Sequence, residues 1–346
     1  MEEWKEYKLG DVCSRLKSGK GISSSSILEN AQYPVIGGNG IRGYVNTANF
    51  KGECAVIGRQ GAYCGNVRYF NGEAYMTEHA VVAVGNSNVN TRYLACLLAR
   101  MQLGNLSAQS AQPGLSVQIL SKLLVKLPPL YLQNKIAAVV KSIDDKIELN
   151  RRINDNLEQQ AIDLFDYMFP SITTGNYKIG DWLKPQRGIG LLTKDTILGD
   201  VPVVAGGLRP AAYHNKANTL SPVVTISASG ANAGYVALWN KPVWSSDSSY
   251  IDPSLTPDVY FWYVMLKKRQ KEIFDAQTGS AQPHIYPQHI AELPIKQLEN
   301  EQIIKYTEQV TPLFKMIGDT TEENVKLAQL RDTLLPKLMS GELKIS

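Results

Sequence analysis

The sequence predicts an α+β fold: two similar mixed α/β globules joined by long helices packed as an antiparallel coiled coil, with an internal pseudo-twofold repeat. Three observations predict it. Islands of sequence recur at a nearly constant offset of 168 to 170 residues. A heptad seam runs without interruption through 136–164. A second seam occupies the matching place in the second copy. The resulting boundaries are 1–129 for the first globule, 130–170 for a central helix, 171–298 for the second globule and 299–346 for a C-terminal helix and tail.

A repeat of long period is the first thing to seek in a chain of 346 residues. Tyr7-Lys8-Leu9-Gly10-Asp11 returns as Tyr177-Lys178-Ile179-Gly180-Asp181. Pro34-Val35-Ile36 with Gly37-Gly38 returns as Pro202-Val203-Val204 with Gly206-Gly207, and Tyr44 and Asn46 match Tyr213 and Asn215. The stretch from Ile57 to Gly65 aligns with that from Ile226 to Gly234, and Ser110-Ala111-Gln112-Pro113 with Ser280-Ala281-Gln282-Pro283. Between these islands the halves differ freely, as two copies of one scaffold with different surfaces would. Within each globule, short β-branched runs such as Ala80–Val84 and Val223–Ile226 read as strands between turns. Tyr93–Leu98 and Tyr260–Leu266 read as buried helices.

In the central segment Ile136, Val140, Ile143, Ile147, Asn150, Asn154, Leu157, Ala161 and Leu164 step alternately by four and three. That rhythm is a coiled-coil seam, bracketed by Pro129 and Pro170. A helix over 130–168 would be roughly 55–60 Å long, a strut that no single globule needs. Ile303, Tyr306, Val310, Leu313, Ile317, Leu327, Leu334 and Leu338 form the second seam. Pro312, Gly318 and Pro336 fall in it, so a kinked or broken helix is expected there. Each seam turns polar at an equivalent place, Asn150 and Asn154 in one and Thr320 and Asn324 in the other. Two readings stay open: a register lock, or a docking notch for another subunit.

The net charge is +4, and it is sorted by segment. Residues 1–129 carry +5 and 171–298 carry +3, whereas 130–170 and 299–346 carry −2 each. A basic surplus in the globules suits contact with phosphate backbones. No apolar run reaches the ~18–20 residues of a membrane span, and the charged start Met1–Glu6 does not resemble a secretory signal. Cys13, Cys54, Cys64 and Cys96 form no Cys-x-x-Cys pair, so reduced cytosolic thiols are expected rather than a zinc site or disulfide framework.

Several chemistries find no motif. There is no G-x-x-x-x-G-K-[ST] phosphate loop and no G-x-S-x-G elbow. No Asn/Asp-Pro-Pro-Tyr/Phe tetrapeptide is present, and no acidic-x-Lys follows soon after the Pro257-Asp258 pair. Gly38-Asn39-Gly40-Ile41-Arg42-Gly43 fits G-x-G-x-x-G, but strand-like Tyr44–Phe50 follows where a dinucleotide site needs a helix. A glycine-rich turn is expected there. His79, His214, His284 and His289 form no catalytic or metal constellation with other residues.

The duplicated layout resembles the specificity (S) subunit of type I restriction–modification enzymes over essentially the whole chain. Leu127-Pro128-Pro129-Leu130, with Gln133 and Ile136, is similar to that family's passage from globule into helix, and Leu293-Pro294-Ile295, with Gln302 and Ile303, to a looser second copy. Ile143–Asn150, continuing to Leu164-Phe165, resembles its central helix, and Leu330–Leu343 its C-terminal ending. Gly37–Tyr44 is similar to a turn in its globules. The chain is short for the family. The resemblance implies two target-recognition domains, each reading one half of a split site on double-stranded DNA. It implies helices that act as a ruler and as a platform for two modification (M) subunits. Those subunits would hold S-adenosylmethionine and methylate adenine, while restriction (R) subunits would add cleavage. No cofactor is expected in this chain, no membrane partner, and no catalytic residue of its own.

For base contacts in the first globule the candidates are Arg59, Gln60 and Tyr63 in the Gly58–Gly65 loop, with Arg42 and Arg68. Arg matches guanine O6/N7 and Gln matches adenine N6/N7 in the major groove. The aligned loop of the second globule offers Ser229 and Asn232, with Arg209, His214 and Lys216 as further candidates. Gln112 and Gln282 lie in the repeated Ala-Gln-Pro motif, where an unchanged residue in both copies also suits a scaffold role. Lys20, in a Gly-Lys-Gly turn, suits a phosphate contact or a solvated turn. Two other classes compete: a self-sufficient nuclease or transferase, and a coiled-coil scaffold with protein- or carbohydrate-binding globules.

Overall fold

A computed structural model describes residues 4–107, 114–279 and 282–344. The chain divides into two compact units, Met1–Asp145 with Ala328–Ser346, and Lys146–Leu327.

The first unit is built on one sheet of six strands: β1 (Cys13–Ser18), β2 (Tyr33–Gly37), β3 (Gly40–Val45), β4 (Phe50–Gly58), β5 (Val67–Met76) and β6 (Ala80–Gly85). Their order is β1-β6-β4-β5-β2-β3, antiparallel except where β2 runs parallel to the end of β5. β4 and β5 pair over eight registers through a Gly52–Gly72 pair, both in the left-handed φ range where a side chain is strained. The helix α1 (Thr91–Arg100) covers one face, capped by the Asn90 side chain accepting from the Tyr93 amide. Tyr93, Leu94 and Leu98 of α1 pack with Ile57, Val81 and Ala83 of the sheet. The alternation of strand residues thus buries one set under α1 and leaves the other on a smaller second cluster with Phe50, Val56 and Met76. The G-x-G-x-x-G stretch is the β2–β3 hairpin, as the strand reading expected.

The second unit repeats the plan with shorter strands: β7 (Gln186–Arg187), β8 (Val201–Val204), β9 (Ala212–His214), β10 (Val223–Ser227), β11 (Val236–Trp239), β12 (Trp244–Ser245) and β13 (Ser248–Ile251). They form two sheets, β7-β13-β10-β11 and β9-β8-β12. β8 runs parallel to β12, as β2 does to β5. Lys5–Lys8 pairs with Leu124–Leu127 in one unit, and Tyr177–Lys178 with Pro294–Ile295 in the other.

Two long helices complete the chain, α2 (Leu130–Met168) before α3 (Val259–Lys268), and α4 (Asn300–Ser340) last. In α3 every residue from Val259 to Leu266 is buried. Residues of α2 and α4 descend past each other in antiparallel order within each unit. In the first, Arg331 pairs with Asp144 at 2.9 Å, and Asp144 also takes Arg92 of α1 at 3.1 Å. In the second, the Tyr306 hydroxyl donates to the Ala161 carbonyl at 2.9 Å, and Phe165 meets Tyr306 edge-on. Ile136, Val140, Ile143, Ile147 and Asn150 are all buried, as the seam requires.

The polar seam positions meet. Asn150 Nδ2 donates to Asn324 Oδ1 at 2.9 Å and to Glu323 Oε2 at 2.7 Å, and Asn154 Nδ2 to Thr321 Oγ1 at 3.2 Å. Thr320 Oγ1 donates to Asn154 Oδ1. These bonds fit only one alignment of the helices, which is the register reading.

The expected break in the second helix is absent: α4 is a single helix through Pro312, Gly318 and Pro336. Pro312 lies on the exposed side, so the Glu308 carbonyl that loses its partner stays open to solvent. Gly318 brings the helix close to Asn240, where a Cβ would sit 2.7 Å from Asn240 Cβ. Asn240 Nδ2 donates to the Phe314 carbonyl at 3.0 Å.

Candidate nucleic-acid interface

In the first unit, the ends of five strands converge on the short connection Thr77-Glu78-His79 between β5 and β6. The Thr77 amide donates to Ile36 O at 2.9 Å and the Arg59 amide to His79 O at 3.0 Å. The amides of Gly19 and Lys20 donate to Ala80 O and Met76 O. The Arg59 carbonyl in turn accepts from the Leu115 amide at 2.8 Å. The 59–63 loop is thereby seated beside the 37–42 hairpin turn.

Between them lies an open cleft of about 330 Å³ lined by Asn39, Ile41, Arg42, Gln60, Tyr63 and His79, together with the hairpin glycines. Gln60 Oε1 and His79 Nδ1 are 3.1 Å apart, and His79 Nε2 faces Glu78 at 3.2 Å. Arg42 and Gln60 are exposed, and Tyr63 is 51% exposed. Cationic, amide and aromatic groups share one solvent-open surface, a set that can address base edges and sugar–phosphate.

Three predicted residues, Arg42, Gln60 and Tyr63, therefore come together. Arg59 is half-buried and does not line the cleft; its main chain anchors the loop. Arg68 turns its guanidinium onto the hairpin, donating to Asn39 O at 2.5 Å. Lys20 is exposed at the same convergence of strand ends. Gln112 lies outside the described residues, as do Ser280 and Ala281.

The second unit repeats the loop bond for bond. The amides of Gly58 and Ser227 donate to Asn66 O and Tyr235 O; those of Gly65 and Gly234 donate to Gly58 O and Ser227 O. The amides of Leu115 and Ile285 donate to Arg59 O and Ala228 O, and those of Arg59 and Ala228 to His79 O and Asp247 O. Gly61 and Gly230, at φ of 75° and 79°, hold the same left-handed turn. On this common backbone the side chains differ: Arg59, Gln60 and His79 become Ala228, Ser229 and Asp247.

The second-unit candidates accordingly fall into three places. Arg209, Lys216 and Gln282 are exposed. Ser229 Oγ donates to Asp247 Oδ2, and Asn232 Nδ2 donates to Gly206 O at 3.3 Å, bracing the glycine turn. His214 is a correction: it is 6% exposed, accepts from the Ile197 amide at 2.9 Å through Nδ1, and packs edge-on against Trp244. Its imidazole serves the interior of the unit, not its surface.

The sequence reading missed His79, Asp247 and Arg187. His79 and Asp247 stand at the repeat offset, but Thr77-Glu78-His79 and Ser245-Ser246-Asp247 share no residue that would have flagged them. Arg187 Nη2 donates to Asp247 Oδ1 at 2.7 Å. Among the described residues no group of three or more His, Cys, Asp or Glu could hold a metal ion. No described helix is long and apolar enough to cross a membrane.

Residues 1–159 match the family model described as "Type I restriction modification DNA specificity domain". The chain is 40% identical over 146 residues to the type I restriction enzyme EcoprrI specificity subunit of Escherichia coli, covering 41% of this chain and 36% of that one. It is 25% identical over 294 residues to the type I restriction enzyme MjaIX specificity subunit of Methanocaldococcus jannaschii, covering 70% and 66%. The matches thus span about a third of the first relative's length and just under two thirds of the second's. A solved type I restriction–modification S subunit from M. genitalium has the same fold, with a TM-score of 0.62 at 18% identity over 97% of this chain and 96% of that chain. Residues 1–159 are thus similar to the type I restriction modification DNA specificity domain, and the chain shares the fold of a solved type I restriction–modification S subunit.

Proposed function

We propose that this chain is the DNA-binding specificity subunit of a type I restriction–modification complex and reads a bipartite, asymmetric site. One observation carries the reading: the two units present one loop scaffold, held by the same main-chain bonds, with different side chains on it. A shared frame with unlike tips serves two recognition events of the same kind on different bases. The basic surplus of both globular segments supplies the sequence-independent attraction to phosphate.

The chain itself is non-catalytic in this reading. It directs two M subunits, which bind S-adenosylmethionine and methylate adenine, and R subunits, which cleave, in the cytoplasm. The test is DNA binding by the full chain with M subunit across a salt series. Affinity that falls steeply with salt, by about 0.9 log units per log unit of salt for each phosphate contacted, agrees with the proposal. Absence of salt-dependent DNA affinity with M subunit present favours a coiled-coil scaffold with protein- or carbohydrate-binding globules. Turnover of DNA or S-adenosylmethionine by the purified chain alone would make it an enzyme in its own right.

A further inference from the structure

Arg187 is the last residue of the edge strand β7, paired with Ser249 of β13. The next residue places it in the repeat: the Gly188 amide donates to Ser248 O at 2.9 Å, just as the Gly19 amide donates to Ala80 O at 3.0 Å. Arg187 therefore stands where the first unit has Ser18, on a strand end that borders the recognition loop. Its side chain is 43% exposed, and its Nη2 donates to Asp247 Oδ1 at 2.7 Å. The other oxygen of Asp247 accepts from Ser229 Oγ, and the Ser229 backbone belongs to the repeated loop. The loop, the carboxylate and the guanidinium thus form a chain of three. In the first unit the Gln60–His79 pair stands at the first two of these positions.

Stability gives little reason for this arrangement, since an exposed ion pair contributes about 0–1 kcal/mol. Phosphate attraction gives little either, because Asp247 cancels the charge of Arg187. What remains is orientation. A guanidinium has five N–H donors in a rigid plane, and one is spent on Asp247. The others stay in a fixed direction on an exposed surface, the requirement for bidentate pairing with guanine O6 and N7.

We infer that Arg187 is a specificity-determining residue that reads a guanine in the half-site of the second unit, with Asp247 as the positioning residue that aims it. The inference rests on the DNA-binding reading above. The experiment reconstitutes the full chain with M subunits and S-adenosylmethionine and maps methylated adenines for wild type, Arg187→Ala, Arg187→Lys and Asp247→Asn. Arg187→Ala relaxes one guanine position in one half-site, by roughly 5- to 150-fold in preference, and leaves the other half-site unchanged. Arg187→Lys keeps the charge but lacks the fork, so it relaxes the same position and decides the matter where the alanine variant melts early. Asp247→Asn weakens discrimination at that same base while the salt dependence of binding, which counts phosphates, stays as in wild type. A folded Arg187 variant that keeps every base of the wild-type motif overturns the inference while the proposed function stands. A wild-type chain that directs no methylation at all defeats the proposed function, and the inference with it.

Discussion

Gln60 Oε1 lies 3.1 Å from His79 Nδ1, joining the repeated loop to the β5–β6 connection at the wall of the first-unit cleft. The contact orients the Gln60 amide, and an oriented amide can pair bidentately with adenine N6 and N7. Gln60→Ala is expected to alter preference at one position of one half-site, by roughly 5-fold or more. Competition binding against single-base variants of the site checks this; loss spread evenly over both halves would count against it.

The loop backbone makes a separate prediction. Gly65 is at φ +80°, and a Cβ there would lie 2.0 Å from the Gly104 amide nitrogen. At Gly61, φ +75°, a Cβ meets nothing within 4 Å. Gly61→Ala should therefore cost only the left-handed strain of about 1–2 kcal/mol. Gly65→Ala carries that strain plus a backbone clash, and should cost clearly more. Urea denaturation of the two variants should rank them in that order.

The polar rung of the helices tests differently. Asn150 is fully buried and donates to both Asn324 and Glu323. Asn150→Ala removes the donor of the rung, while Glu323 keeps Lys146 and Asn324 stays partly open to solvent, so a loss of about 0.5–1.5 kcal/mol is expected in chemical denaturation. Stability equal to wild type would show that solvent already serves these groups.

Burial pushes the Cys54 thiol up to about 12 from an ordinary value of 9.0 and the Cys13 thiol likewise. Burial, helped by the charge of Asp144, lifts Cys96 to about 11. Burial also lifts the Tyr69 hydroxyl to about 12 from 10.0. The folded state keeps these protons while the unfolded state releases them, so the stabilisation is whole below pH 9 and is lost between about pH 9 and 12. The midpoint in denaturant should fall over that window. At pH 8, Cys13, Cys54 and Cys96 should resist a thiol reagent until the protein is unfolded.

Much of the architecture was legible because its signals are local or periodic. The 4-3 spacing from Ile136 to Leu164 needs no knowledge of the partner helix, and the aligned islands around Gly58–Gly65 and Ser227–Gly234 became identical loops. Other features depend on which face of an element meets solvent. Pro312 argued for a break, yet the helix runs on through it, at an exposed position where the carbonyl that loses its partner meets solvent. His214 carries a surface residue's chemistry, but Trp244 and the Ile197 amide claim it. Arg187 and Asp247 are 60 residues apart, a pairing that only the β7–β13 register creates. The site was half legible for the same reason. The loop was marked by its repeat, while the partners that aim its side chains come from strand ends elsewhere in the chain.

Mapping methylated adenines on DNA modified by the wild-type chain with M subunits and S-adenosylmethionine tests the central claim most directly. Two unlike half-sites separated by a fixed unspecified gap are the predicted result. A palindromic motif, a single continuous motif, or methylation without sequence preference would contradict it.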